Sequence, residues 1–365
     1  MYMKNRLIVF TGGGTAGHVF PAFPVISRLK SRGIQIIWIG SSKGVERGWI
    51  EKEGLSFYGV PSGKFRRYFS LKNLTDLFRI FGGFVSSLFF LIRQKPSLVF
   101  SKGGFVSVPP VAAARLLGIP VYTHESDVDP GLATRLNLKL GASALLTYEE
   151  TKEFLPASAL QRASVTGNPV RDIIFQGNAA AGRKLAGIAP DDVRPLVLVF
   201  GGSQGAREIN DLITAVLDDL LQIAAVVHQR GPGNPGIADR PGYMSRPFFA
   251  EELPHLLAAA DVSVARSGAG SLWELAATGT PALFVPLRGA TRGDQLRNAA
   301  LAEKAGMSLT LKENAGPREF LEQLKQLLLD EGCRNTMKKA ALQFPAAAAA
   351  DKIAAILGEV LDGGN

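Results

Sequence analysis

The sequence predicts an α/β protein made of two doubly wound parallel-sheet domains. Three observations predict it. Short apolar runs alternate with longer helical stretches along the 365 residues. The runs are rich in Val, Ile, Leu and Phe without clean alternation, as strands buried on both faces require. The rhythm also starts twice, at LIVFTGGGTAG and again at PLVLVFGGSQGAREIN, each time as strand, glycine turn, helix. The length suits two domains better than one.

Taken in order, the expected strands of the first half are Leu7–Thr11, Ile34–Ile39, Leu98–Ser101 and Pro120–Thr123. Those of the second are Leu196–Phe200, Ala225–His228, Val262–Ala265 and Ala282–Val285. A boundary in the stretch GNPVRD gives an N-terminal domain over 1–170 and a C-terminal domain over 171–345. The alanine-rich tail, about 346–365, reads as a final helix that can return to the first domain, since alanine is the best helix former.

Hydrophobic residues make up 46% and charged residues 20% of the chain, which describes a globular protein and not a disordered one. The single cysteine, Cys333, leaves no internal disulfide and fits a reducing compartment. The net charge of +9 points to an anionic partner: phosphate, nucleic acid or an acidic membrane surface. Nucleic acid is disfavoured, because no arginine-rich run, zinc-finger spacing or interleaved aromatic signature appears.

Three glycine turns carry the chemistry. Gly12-x-Gly14-x-x-Gly17 has dinucleotide spacing, but that reading needs an acidic residue near the end of the second strand. IQIIWIGSSKG offers none; Lys43 leaves a 2′-phosphate open, yet His18 and the second glycine turn stay unexplained. Gly201-Gly202-Ser203-Gln204-Gly205 repeats the anion-ready pattern. The third turn, Arg266-Ser267-Gly268, opens a helix expected to stop at Gly279. Glu274, inside that helix, can accept hydrogen bonds from both hydroxyls of a ribose; ordinary complementarity to the helix dipole is its plainer role.

TGGGTAGHVFPA, SKGGFVSVPPVAAARLLGIPVYTHES, GNPVR, GGSQGARE, ARSGAGSLWELAATGTPALFVPL and DQLRNA occur in this order. Together they resemble the MurG family, the undecaprenyl-diphospho-muramoylpentapeptide N-acetylglucosaminyltransferases, over roughly residues 7–310. The resemblance implies a GT-B fold, two Rossmann-like domains facing a cleft. It implies transfer of N-acetylglucosamine from UDP-GlcNAc to lipid I, with inversion, to give lipid II, without metal or cofactor. It places the enzyme on the cytoplasmic face of the bacterial plasma membrane, near cell-wall synthesis and division proteins.

By motif match, Glu274 would take the ribose hydroxyls, and Ala269, Gly270, Ser271, Leu272 and Trp273 would lie along the diphosphate and nucleoside. Ala250 would face uracil through its backbone, Ser203 and Arg171 would contact the diphosphate, and Gln295 and Asn298 would read the sugar. Thr15, Ala16 and Gly17 would face the reacting sugar, with His18 beside them. Two positions depart from the family pattern: Ala16 stands for a glycine, and Asp127 for an asparagine. Two rivals remain at this point, a GT-B enzyme with another lipid acceptor and a non-catalytic nucleotide-sugar-binding scaffold at the membrane.

Inverting transfer needs a base for the acceptor hydroxyl and stabilisation of the leaving diphosphate. His18 is the candidate base, expected near a helix start where positive potential favours neutral imidazole. A positioning role, and proton transfer involving Asp127, are the alternatives. Asp127-Val128-Asp129 spells a metal-binding pattern, but it lies in the turn-like HESDVDPG, and no metal is expected.

LFRIFGGFVSSLFFLI, residues 77–92, falls short of the ~20 apolar residues that span a bilayer. Lys64, Arg66, Arg67 and Lys72 precede it, and Arg93 and Lys95 follow. One face is expected in the core, and part of 74–84 on an anionic lipid surface.

Overall fold

The computed structural model describes residues 6–63, 71–289 and 293–363, with only the backbone of 71–74. The chain forms two units, Met1–Pro169 with Ala348–Asn365, and Val170–Ala347.

The first unit holds strands β1 (Leu7–Thr11), β2 (Gln35–Ser41), β3 (Ser56–Val60), β4 (Leu98–Ser101), β5 (Val121–Glu125), β6 (Ser143–Leu146) and β7 (Ala163–Val165). They form one seven-stranded sheet in the order β3-β2-β1-β4-β5-β6-β7, every pairing parallel. The chain winds outward from β1 in both directions, so the loops after β1 and β4 meet where the winding reverses.

Alternate residues of the central strands face opposite layers. Ile8, Phe10, Trp38 and Phe100 pack with the helix Ala22–Ser31 and with Ile353, Ala354 and Leu357 of the last helix, Ala349–Asp362. Val9, Ile39 and Val99 pack on the other face with Leu91 and Val111. Arg28 pairs with Asp351 at 3.2 Å, and Lys352 Nζ donates to the Val165 carbonyl at 2.5 Å. The tail therefore completes the first unit's core.

The second unit repeats the plan with β8 (Leu196–Phe200), β9 (Ala225–Gln229), β10 (Tyr243–Arg246), β11 (Val262–Ala265), β12 (Ala282–Phe284) and β13 (Ser308–Thr310). Its six strands lie in the order β10-β9-β8-β11-β12-β13, again all parallel. Val197, Val199, Val262 and Val264 form its centre with Ile209, Ile213, Phe320 and Leu324.

The apolar stretch expected to be sixteen residues is part of a longer helix, Leu71–Gln94. Its Thr75–Gln94 window, with mean hydropathy 1.5, is long and apolar enough by length and composition to cross a bilayer, which corrects the expectation. Its inner side lies on the protein. Tyr58 stacks on Phe90 at 4.2 Å, and a Cβ on Gly83 would stand 2.3 Å from the Pro61 carbonyl. Its outer side exposes Leu77, Phe78, Phe81, Phe89 and Ile92. Lys64, Arg66, Arg67 and the Lys72 side chain lie outside the described residues.

Candidate active site

In the first unit the site gathers at the carboxyl ends of β1, β4 and β5. After Thr11 the chain runs through Gly12–Gly14 and a short 3-10 turn, Ala16–His18, before the helix starts at Ala22. His18 therefore closes a short turn just ahead of that helix. Its Nδ1 lies 3.2 Å from the Gly13 carbonyl and 3.1 Å from Thr15 Oγ1. A carbonyl only accepts, so in the neutral ring the proton sits on Nδ1 and the lone pair on Nε2.

The imidazole pKa is pushed down to about 4, by burial first and then by the charge of Lys102, against the Gly13 hydrogen bond. The direction matches the need for a neutral base; the cause is desolvation and a neighbouring cation instead of a helix dipole. Thr15 and Gly17 are exposed and Ala16 half-buried beside the ring.

The SKGGF turn closes over that ring. A Cβ on Gly103 would lie 3.6 Å from His18 Cδ2, and one on Gly104 would lie 3.0 Å from Nδ1 and 2.4 Å from the Gly13 carbonyl. The Gly103 amide is donated to Ser101 Oγ at 3.1 Å.

Beneath the first loop, Glu46 accepts from the amides of Ser41 at 2.8 Å and Gly14 at 3.3 Å. Glu125, at the end of β5, accepts from the amides of Ser126, Asp127 and Gly131 at 2.9, 3.0 and 2.9 Å. This buried carboxylate thus shapes the loop that carries Asp127, which is half-buried. Asp129 is ion-paired to Arg135. His124 Nε2 donates to the Gly167 carbonyl at 2.9 Å, and burial and Lys102 hold its pKa well below the usual range.

In the second unit the two other glycine turns follow β8 and β11. Gly205 has φ +77°, and a Cβ there would stand 2.1 Å from the Arg230 carbonyl, so the turn demands glycine. Ser203 is exposed at its crest. The helix Ala269–Thr278 starts after Gly268 and ends at Gly279, left-handed at φ +65°. Its amides and dipole present an anion-binding end.

Arg171 Nε and Nη2 both reach Glu274 Oε1, at 3.0 and 2.8 Å. The two residues assigned to diphosphate and ribose therefore bind each other. Gly270 is exposed and Ser271 half-buried, whereas Ala269, Leu272 and Trp273 are buried. Trp273 meets Phe344 edge-on at 5.5 Å, so its ring faces the core. Gln295 and Asn298 both serve the third loop. The Gln295 carbonyl accepts from Ser267 Oγ at 2.8 Å, and Gln295 Oε1 accepts from the Leu287 amide at 2.8 Å. Asn298, fully buried, donates to the Ser267 carbonyl at 3.1 Å. The Ala250 amide donates to Glu252 Oε2 at 3.1 Å.

Residues 8–146 match the model of the glycosyltransferase family 28 N-terminal domain, and 196–353 that of the family's C-terminal domain. A Treponema denticola UDP-N-acetylglucosamine--N-acetylmuramyl-(pentapeptide) pyrophosphoryl-undecaprenol N-acetylglucosamine transferase is 42% identical, covering 98% of this chain and 97% of its own. The chain belongs to glycosyltransferase family 28, in its MurG group. A family relative of the same name from Clostridium kluyveri is 41% identical over 93% of this chain and 96% of its own. The crystal structure of Acinetobacter baumannii MurG superposes with a TM-score of 0.73 at 24% identity, over 97% of this chain and 99% of that one. That likeness identifies the fold as GT-B, the architecture of this family 28 group.

Sequence reasoning quoted Lys102 and Glu125 without assigning them a task, and passed over Glu46. A lysine directly after the buried run LVFS was the available signal for the first. The carboxylates were invisible, because their partners are backbone amides.

Proposed function

We propose that this chain transfers N-acetylglucosamine from UDP-GlcNAc to lipid I, with inversion, forming lipid II for peptidoglycan synthesis. The observation that carries the reading is near-full-length identity of 41–42% to transferases named for that reaction. The N-terminal unit supplies the base and the C-terminal unit holds the donor.

His18 Nε2 accepts the proton of the attacking hydroxyl, with Nδ1–H anchored on Gly13. The half-buried Asp127 takes a hydroxyl of a bound sugar and is the second candidate for proton transfer. Thr15, Ala16 and Gly17 line the reacting sugar. Glu274 accepts from the ribose hydroxyls. Arg171, Ser203 and the amides of 269–271 take the diphosphate, whose growing charge on departure they stabilise. Leu272 and Trp273 hold that helix from the core side; Gln295 reads the sugar from the helix Asp294–Lys304, and Asn298 fixes the loop beneath it. The backbone of Ala250 borders the uracil.

The outer face of the helix Leu71–Gln94, rich in exposed Phe and Leu, rests on the cytoplasmic leaflet of the plasma membrane, aided by the +9 net charge. Other cell-wall synthesis and division proteins are its expected partners there.

Purified protein with radiolabelled UDP-GlcNAc, offered a lipid I analogue beside a diacylglycerol, tests the assignment. Label is expected in the lipid I product. Label only in a diacylglycerol product would overturn it.

A further inference from the structure

Lys102 follows β4 directly and is 2% exposed. Its amide donates to the Thr11 carbonyl at 2.8 Å, which places it where the first glycine loop leaves the sheet. A Cβ on Gly12 would stand 3.3 Å from Lys102 Cβ, so the lysine stem and that loop lie in contact. Its Nζ donates to Ser126 Oγ at 2.5 Å, and Ser126 Oγ donates on to Asn168 Oδ1 at 3.0 Å.

An ammonium at this depth is costly unless opposite charge and hydrogen bonds compensate it. Glu125 and Asp127 are the compensating charges, set against burial that pushes the lysine pKa down to about 8. Glu125, which also accepts from three amides of its own loop, acts on the lysine first and Asp127 second.

We propose that Lys102 is a positioning residue for the transfer: its buried ammonium opposes a second positive charge on His18 and, through Ser126, fixes the loop that carries Asp127. The inference rests on His18 being the base. The charged and titratable groups around that histidine come from every neighbouring element. On the elements that build this end of the sheet they are Lys102 after β4, which acts on the ring, Glu46 on the Gly14 amide, and, on β5 and the loop after it, His124, Glu125, Asp127 and the Asp129–Arg135 pair. Of these, Lys102 is the one whose charge lowers the proton affinity of His18.

The test titrates the His18 ring by proton NMR and, in parallel, measures the pH profile of kcat. It compares the native protein, Lys102→Met, Lys102→Arg and the charge-balanced Lys102→Met/Asp127→Asn. Lys102→Met is expected to raise the His18 midpoint by about one unit, with the acid limb of kcat moving alongside. Lys102→Arg keeps the native midpoint. The double variant carries the same comparison if the single one does not fold. An unmoved His18 midpoint in both methionine variants would overturn the proposal. A midpoint that rises while the acid limb stays put would keep the action of Lys102 on His18 and overturn the base assignment.

Discussion

Arg171 and Glu274 hold each other through two guanidinium nitrogens on one carboxylate oxygen, at 3.0 and 2.8 Å. The pair joins the start of the 3-10 turn Asp172–Gln176 to the helix after the third glycine loop. A donor that uses both residues must share Glu274 with Arg171. A hydrogen bond to a charged group contributes about 1.5–3 kcal/mol, so Glu274→Ala is expected to weaken UDP binding by roughly 10–150-fold. Titration calorimetry with UDP checks this. Native affinity in Glu274→Ala would remove the ribose role.

Gly104 has φ +79°, and any Cβ there would press on the Gly13 carbonyl that holds His18. Gly104→Ala combines backbone strain with displacement of the base and is expected to cost about 1–3 kcal/mol in stability. Turnover should fall well beyond the change in UDP affinity, which the proposed function assigns to the other unit. Urea unfolding and steady-state kinetics measure both effects.

Stability should decline on mild acidification. His228 is buried, donates Nε2–H to Asn210 Oδ1 at 2.9 Å and accepts from the Tyr243 hydroxyl at 3.1 Å. Burial, then Arg230, pushes its pKa down to about 4, below the 6.5 of an ordinary histidine. The unfolded chain therefore takes up a proton first as pH falls. The contribution is intact above about pH 6.5 and is lost as pH falls to about 4, where the loss amounts to about 3 kcal/mol. His228→Gln should flatten that part of the Tm-against-pH curve; an equally steep curve in the variant would contradict it.

Phe78 and Phe81 are 70% and 65% exposed on the outer side of the helix Leu71–Gln94. Burying an aromatic side chain contributes about 1.5–3 kcal/mol, so Phe78→Glu/Phe81→Glu should bind anionic vesicles at least about tenfold more weakly. The circular dichroism spectrum should not change. Added salt should weaken vesicle binding of the native protein. Native-like sedimentation of the variant with vesicles would contradict the lipid-facing assignment.

Legibility in the sequence followed burial. The eight strands expected from apolar runs are β1, β2, β4, β5, β8, β9, β11 and β12, all of the inner strands except β6. The edges, β3 and β7 in one sheet and β10 and β13 in the other, gave no such run. β3 reads SFYGV with one fully buried residue, and β7 is three residues long. An edge strand covers only one neighbour and is half-wetted, so the signal that marks a buried strand is missing there. β6, four residues beside the edge, was too short to stand out.

At the site, the glycine turns and His18 were legible because their residue types are unusual at those places. The pairing of Arg171 with Glu274 across 103 positions was not, nor was the use of Asn298 as a prop for Ser267. Both depend on tertiary approach that no local pattern encodes.

The most direct measurement is a comparison of His18→Ala with the native protein in single-turnover transfer of N-acetylglucosamine and in UDP binding. Loss of a general base predicts a chemical step slower by about 10²–10⁴-fold, with the UDP dissociation constant unchanged. Transfer at the native rate in His18→Ala, or a loss explained wholly by weaker UDP binding, would contradict the account.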